Sequence, residues 1–345
     1  KLYSRGATDN KGPVLAWVNA VSAFRALGQD LPVNIKFILE GMEEAGSVAL
    51  EELVKREKDR FFSSVDYIMI SDNLWISQKK PALTYGTRGN CYFMVEGGTV
   101  KCRDQDFHSG TFGGVLNGPM ADLVALLGSL VDSSGHILIP GIYDQMAPIT
   151  EEDKARYENI DLDLEEYQKS SQVEKFLFDT KGLLAHLWRY PSLSIHGIGG
   201  AFDEPGAKTV IPNRVIGKFS IRLVPHMSLS VVETQVEQHL EAMFSERNSS
   251  NKMTVSMVLG LRPWTANINI NATQYLAAQS AVKTERLAHS WRAVPSVHMN
   301  EKINRCNYIQ GSKLLAAFFW SCQSGTHDSK CLPVCSVTTP PSGPG

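Results

Sequence analysis

Val33-Asn-Ile-Lys-Phe-Ile-Leu39-Glu-Gly-Met-Glu43-Glu44-Ala-Gly46 is a short apolar run that ends in a pair of adjacent acids. A strand that stops at carboxylates holds them past its end, where side chains reach a shared cleft instead of bulk solvent. The pattern recurs at Tyr67-Ile-Met-Ile70, which runs into Ser71-Asp72-Asn73. Ahead of both, Arg5-Gly-Ala-Thr-Asp9-Asn-Lys-Gly12 opens a segment in which Val14, Val18, Val21 and Leu27 fall with Trp17 and Phe24 at helical spacing. Strand, helix and strand with acids just past the strand ends is the site layout of an open α/β sheet.

Carboxylates on separate loops can converge on one or two divalent cations. A two-metal pair needs one carboxylate that bridges both ions at about 3.5–4 Å separation. Asp9 is the natural bridge, with Glu44 and Asp72 as terminal ligands. Only one acid of an adjacent pair need bind metal, which leaves Glu43 to take a proton from water as a general base. The plainer alternative for Glu43 and Glu44 is a solvated helix start, where the helix dipole favours acids.

The motifs Gly6-ATDNKG-Pro13, Glu40-GMEEAG-Ser47, Ile70-SDNL-Trp75, Asp106-FHSGTFG-Gly114, Trp188-RYPSLSIHG-Ile198, Gly206-AKTVI-Pro212 and Gly217-KFSIRLV-Pro225 occur in this order. Through them the chain resembles the aminoacylase/carboxypeptidase-type metallopeptidases, and within these the carnosine dipeptidases, over residues 1–273 and again over 300–319. The resemblance implies a dipeptidase for short Xaa-His peptides with two divalent ions, Zn or Mn. It assigns Asp9 as bridging ligand, Glu43 as general base, and Glu44 and Asp72 as ligands of one metal each. His108 resembles the histidine that reaches into the partner subunit's active site to polarise the scissile carbonyl. Thr209 and Arg222 match substrate-contacting positions, and the planar fork of an arginine suits a substrate carboxylate. A homodimer through the lid is implied as well.

Two departures stand beside the match. The family's His-x-Asp segment, which supplies one metal histidine, has no counterpart ahead of the Asp9 motif. The pattern also breaks after about residue 274 and resumes at Asn300, across the region that normally carries a Gly-Ser-rich substrate loop and the second metal histidine. His298 in Pro295-Ser-Val-His-Met-Asn-Glu301 is the candidate replacement, set against an incidental histidine in an insert, because the Asp-Gly-x-His-Ser setting is absent. Carboxylates and water alone suit Mn²⁺ or Mg²⁺ better than Zn²⁺. A catalytically impaired form that pairs with an intact subunit, and an acyl-amino-acid hydrolase of the same fold, therefore compete with the dipeptidase reading. A missing sheet segment is further expected to leave exposed apolar surface and an unpaired strand edge.

The expected fold is α/β: an open-sheet, zinc-peptidase-type catalytic domain, truncated, at 1–88 and 264–320. An α+β lid and dimerisation domain is inserted at 89–263, and a disordered tail follows at 321–345. Within the lid, strands are expected at 92–96, 215–224 and 253–259, and helices at 120–131, 173–188 and 231–244. Gly97-Gly98 predicts a local bulge.

Composition sets outer limits. A chain of 345 residues with 43% hydrophobic content can fill one large or two ordinary domains. A net charge of −2 and a pI near 6.5 give no basic field for nucleic acid or anionic membrane. No apolar run reaches the roughly 18 residues of a membrane helix. The sequence opens on Lys1 without a signal-peptide pattern. Resemblance to the serum type implies secretion, with Asn248-Ser-Ser and Asn271-Ala-Thr as glycosylation acceptors, and the cytoplasm is the alternative. Of six cysteines, Cys91 reads as a buried apolar residue, and Cys322, Cys331 and Cys335 as thiols of the disordered tail.

Overall fold

The computed structural model describes residues 2–3, 6–7, 9–43, 46–72, 82–98, 105–171, 173–200, 202, 204–266, 273–284, 302–303, 305–323 and 330–336. The chain begins with β1 (Leu2–Tyr3), α1 (Lys11–Ala26), β2 (Asn34–Ile35), β3 (Ile38–Glu40), α2 (Leu50–Arg56) and β4 (Tyr67–Ile70). Then come β5 (Gly86–Thr87), β6 (Gly89–Gly98), β7 (Phe107–His108), α3 (Ser109–Phe112), α4 (Pro119–Gly128), α5 (Glu151–Glu158), α6 (Leu164–Ser171) and α7 (Thr180–Trp188). The next elements are β8 (Ser192–Gly199), β9 (Val210–Ile211), β10 (Arg214–Leu223), α8 (Leu229–Glu246), β11 (Lys252–Leu261) and β12 (Trp264–Thr265). The last are α9 (Thr273–Thr284), β13 (Lys302–Ile303), α10 (Arg305–Gln323) and β14 (Lys330–Ser336). Two compact units result: Lys1–Tyr85 with Ala155–Phe176 and Asn267–Gly345, and Gly86–Lys154 with Leu177–Ala266. Residues 155–176, expected in the lid, group with the first unit. There Arg156 lies over the Tyr85 ring at 5.4 Å, a cation–π contact.

In the first unit Val14, Trp17, Ala20 and Phe24 recur every three or four residues and form the buried stripe of α1. Trp17 is fully buried against Phe318 and Phe319 of α10, ring centroids 6.4 and 5.3 Å away. Ala277, Ala278 and Ala281 of α9 close the same core. The strand expected over Val33–Leu39 is split into β2 and β3. Between the two pieces Lys36 donates to the carbonyl oxygens of Phe61 and Ser63.

Strand β14 corrects the expectation of a structureless tail. It runs parallel to β2 and β3 on one side and to β4 on the other, with Val334 opposite Ile38 and Leu332 opposite Ile68. Backbone donors and acceptors on a strand need partners, and β14 supplies them where an unpaired edge was expected. Cys331 and Cys335 thus belong to a strand. Cys322 is no tail thiol either: it is fully buried in α10, and burial pushes its thiol up to about 12. Residues 337–345 lie outside the described residues.

The second unit is a four-stranded antiparallel sheet in the order β11-β6-β10-β8. Side chains alternate across it. Cys91, Phe93 and Val95 of β6 and Val215, Phe219, Ile221 and Leu223 of β10 are buried with Leu123, Leu126 and Leu127 of α4 and Val232, Val236 and Leu240 of α8. The Phe93 and Phe219 rings stack 5.1 Å apart. Gly217 lets α4 lie close, since a Cβ there would come within 2.8 Å of Leu123 Cδ1. Cys91 is fully buried, as expected, and desolvation pushes its thiol up to about 12. The bulge expected at Gly97-Gly98 is absent: both residues pair in register with β10 and β11, and ladders on both flanks hold the strand straight. Irregularities fall instead at Lys218/Phe219 against β8 and at Met257/Leu259. The helix expected over 173–188 begins at Thr180, where Asp179 accepts a capping hydrogen bond from the Gly182 N–H at 2.8 Å.

Asp122 ties α4 to the turn after α8. Only 3% exposed, it accepts from Arg247 Nε at 2.8 Å, Ser249 Oγ at 2.5 Å and Asn251 Nδ2 at 2.7 Å. Burial pushes this carboxyl up, but the hydrogen bonds from Ser249, Asn251 and Arg247 outweigh it and hold the group below the ordinary carboxylate value. A carboxyl with a depressed folded-state pKa contributes stability in full above its unfolded value, about 3.9, and loses it as pH falls through the folded one. Asp122→Ala is expected to cost about 2–4 kcal/mol at pH 7 by stranding Arg247 and Asn251. Urea unfolding of wild type and variant at pH 7 and at stepwise lower pH checks this: the gap should narrow on acidification, and a constant gap would refute the assignment.

Candidate active site

Asp9 sits in the turn that feeds α1. The turn is tight: the Gly12 N–H bonds to the Gly6 carbonyl at 2.9 Å, Gly6 has φ +84°, and a Cβ on Gly12 would fall 2.1 Å from the Ala7 oxygen. Only glycine satisfies both positions. Asn10, buried at the N-cap of α1, donates from Nδ2 to Asp72 Oδ1 at 3.4 Å. This contact joins positions 62 residues apart and brings the Asp9 turn to the end of β4. Asp9 and Asp72 are themselves exposed.

Glu43 lies three residues past β3 in a turn closed by Gly46 N–H to Glu43 O at 3.0 Å and Ser47 N–H to Met42 O at 2.9 Å. Glu43 stands at a 3₁₀ turn and not in α2, whose first-turn acids are Glu51 and Glu52. Glu44 and His298 lie outside the described residues. Among the described residues no group of three or more His, Cys, Asp and Glu side chains is gathered tightly enough to hold a metal ion. The donor chemistry nonetheless fits one. Asp9, Glu43 and Asp72 offer hard oxygens, and Glu40 at the end of β3 has a buried Oε1 without a hydrogen-bond partner. A buried, unpaired carboxylate oxygen is costly unless a cation covers it. The sequence reading passed over Glu40, whose only signal was its position one step before the Gly-Met-Glu-Glu turn.

The residues expected to contact substrate belong to the second unit. His108 ends β7, paired with Val210 of β9, and the Ser109 N–H donates to the Thr209 carbonyl at 3.1 Å, so His108 and Thr209 are held side by side. The ring folds back over α3: Nδ1 accepts the Gly110 N–H at 3.0 Å. An accepting Nδ1 leaves the proton of the neutral ring on Nε2, a donor turned to the exposed side. Gly110 is required for this, since a Cβ would meet His108 Cε1 at 2.8 Å and Nδ1 at 3.1 Å. Arg222 is exposed on β10, on the face opposite the core.

Acids past the ends of parallel strands in one unit, and a histidine and arginine on an antiparallel α+β unit interrupting it in sequence, define the class: a metal-dependent hydrolase of mixed α/β architecture. Residues 1–326 match peptidase family M20/M25/M40, and the chain belongs to that family. It is 75% identical to the Beta-Ala-His dipeptidase of Rattus norvegicus, over 92% of this chain and 70% of that protein. To the Cys-Gly metallodipeptidase DUG1 of Saccharomyces cerevisiae it is 42% identical, over 92% of this chain and 71% of that one. The crystal structure of human carnosine dipeptidase 1 superposes with a TM-score of 0.84 at 68% identity, covering 94% of this chain and 73% of that one. No described helix is long and apolar enough to cross a membrane.

Gly110→Ala is expected to lower kcat about tenfold to a hundredfold, since roughly 1 Å of misplacement costs that much, with little change in the thermal unfolding midpoint. Steady-state kinetics beside a melting curve check it; unchanged kcat would remove the fold-back of His108 from the mechanism.

Proposed function

We propose that this chain is a dipeptidase that hydrolyses Xaa-His dipeptides such as carnosine with two divalent ions, Zn or Mn. The support is the dipeptidase activity for which the relatives are named together with one structural observation, the Asn10 to Asp72 hydrogen bond that draws the Asp9 turn to a second acid-bearing strand end. Asp9, Glu44 and Asp72 would hold the ions, with His298 as a further candidate ligand. Bound divalent ions supply Lewis-acid polarisation of the peptide carbonyl and acidify water. Glu43 takes the proton from the attacking water and hands it to the leaving amine. His108 reaches into the active site of the partner subunit and donates from Nε2 to the carbonyl oxygen as negative charge develops there, a contribution of about 3–4 kcal/mol for a single such donor. Arg222 grips the substrate carboxylate with its two-pronged fork, and Thr209, held beside His108, contacts the substrate.

The second unit acts as lid and dimerisation domain in this reading, and the working form is a homodimer. Its sheet ends at β8, paired only with β10 among the described residues, with Ile195 and Ile198 exposed. Such an edge is a template for a second copy. Secretion is the proposed compartment: Asn248 of one glycosylation acceptor is exposed in the turn after α8, and Asn271 of the other lies outside the described residues.

Glu43→Gln is expected to lower kcat by about 10²–10⁴ with metal binding retained, the usual worth of a general base. Hydrolysis of a Xaa-His dipeptide by both proteins in Mn²⁺ and Zn²⁺, with metal content measured on each, decides the matter. Equal turnover would remove Glu43 as base, and no turnover by the wild type in either metal would remove the dipeptidase reading.

A further inference from the structure

The face of the second unit's sheet turned away from α4 and α8 carries an unbalanced cluster of positive charge at one end. Arg222 of β10 stands directly opposite Asn90 of β6 and Ser192 of β8. Residues paired across antiparallel strands project to the same side of the sheet, so Asn90, Arg222 and Ser192 form one row. Arg88 precedes β6 by one residue and shares the face of Asn90, two positions on. Its Nη1 donates to Ser192 Oγ at 3.2 Å, which pins the guanidinium beside the row. Among the described residues neither Arg88 nor Arg222 has a carboxylate partner, unlike Arg214, Arg189 and Arg247 of the same unit, each in an ion pair. Burial lowers the basicity of the Arg88 guanidinium, and the Arg222 cation lowers it further, so the two like charges are close enough to repel. Asn90 Oδ1, in the same row, is buried without a hydrogen-bond partner.

Two adjacent cations without counter-charge and an unsatisfied acceptor are each unfavourable in the free protein. One ligand relieves both: an anion that carries an N–H close by. The C-terminal residue of a short peptide has this chemistry, with its carboxylate for the guanidiniums and its N–H for Asn90.

We propose that Arg88 is a second substrate-binding residue, which with Arg222 and Asn90 forms a three-point clamp on the C-terminal residue of the peptide. The proposal rests on the assignment of Arg222 to the substrate carboxylate and extends it. Arg222 supplies the exposed prong. Arg88, held by Ser192, sets the carboxylate's position along the row, and Asn90 selects an N–H beside it. Because Arg88 holds the carboxylate and not the scissile amide itself, its loss shows in KM more than in kcat.

The test is isothermal titration of the whole chain with β-alanyl-histidine and with its C-terminal amide, for wild type, Arg88→Ala, Arg88→Lys, Arg222→Ala and Asn90→Ala. The wild type is expected to bind the free acid about tenfold to a hundredfold more tightly than the amide, the worth of one or two charge-assisted hydrogen bonds. Both arginine-to-alanine variants should lose most of that preference. Arg88→Lys should keep the fold and recover it only in part, because an ammonium is a point charge without the fork. Steady-state kinetics on the same proteins should show KM raised and kcat nearly unchanged for Arg88→Lys. Preference lost in Arg222→Ala but intact in both Arg88 variants overturns the role of Arg88 and leaves Arg222 standing. Equal binding of acid and amide by the wild type, or binding of neither, overturns the clamp and the Arg222 assignment together. If Arg88→Ala does not fold, Arg88→Lys decides: an undiminished preference overturns the proposal.

Discussion

Successive side chains on a strand point to opposite faces, and in the second unit this single constraint fixes nearly everything else. Covering Cys91, Phe93, Val95, Phe219 and Ile221 with α4 and α8 forces Asn90, Tyr92, Ser220 and Arg222 to the other side. A slip of one residue between β6 and β10 would exchange the two sets, putting an arginine in the core and a phenylalanine outside. The stacked rings of Phe93 and Phe219 and the tight approach of α4 over Gly217 make that slip prohibitive. The position of Arg222, the arginine proposed to bind substrate, is thus set by apolar packing on the face that it never touches.

In the first unit the strand ends do the positioning. β3 and β4 carry the Glu43 and Asp72 loops, and among the described residues both pair with β14 and not with each other. The helical layer of α1, α9 and α10 packs through Trp17 and the Phe318-Phe319 pair. Packing there anchors the start of α1, and with it the turn that presents Asp9. The candidate acids Asp9 and Asp72 are themselves exposed, while the helical layer that fixes the start of α1 is buried.

Much of this was legible beforehand. Apolar runs revealed β4, β6, β10 and β11, and helical spacing revealed α1, α4 and α8, because those elements are half-buried and their apolar residues record the buried side. The motif order revealed the family, since seven ordered motifs carry far more information than any acid alone. Glu43 and Asp72 were singled out by their place past apolar runs, and Asp9 by its place ahead of a helical segment. Glu40 and Arg88 were not. One belongs to a strand whose period does not mark it, and the other is the single residue between β5 and β6, so only the orphaned oxygen and the missing counter-charge single them out. The tail misled because Ser, Thr, Pro and Gly dominate its composition, while seven of its residues form a strand with ladders to β2 and β3 on one flank and to β4 on the other.

The sequence by itself determined the family, the α/β class, the acids at strand ends and the burial of Cys91, since these follow from local order and the period of apolar residues. Tertiary structure alone decided that residues 155–176 join the first unit, that Cys322 is core, that β14 completes a sheet, and that Arg88 stands beside Arg222. Each of these is a contact between residues far apart in the chain. Whether such a pair meets depends on which backbone groups and apolar faces remain unpaired once the local elements have formed.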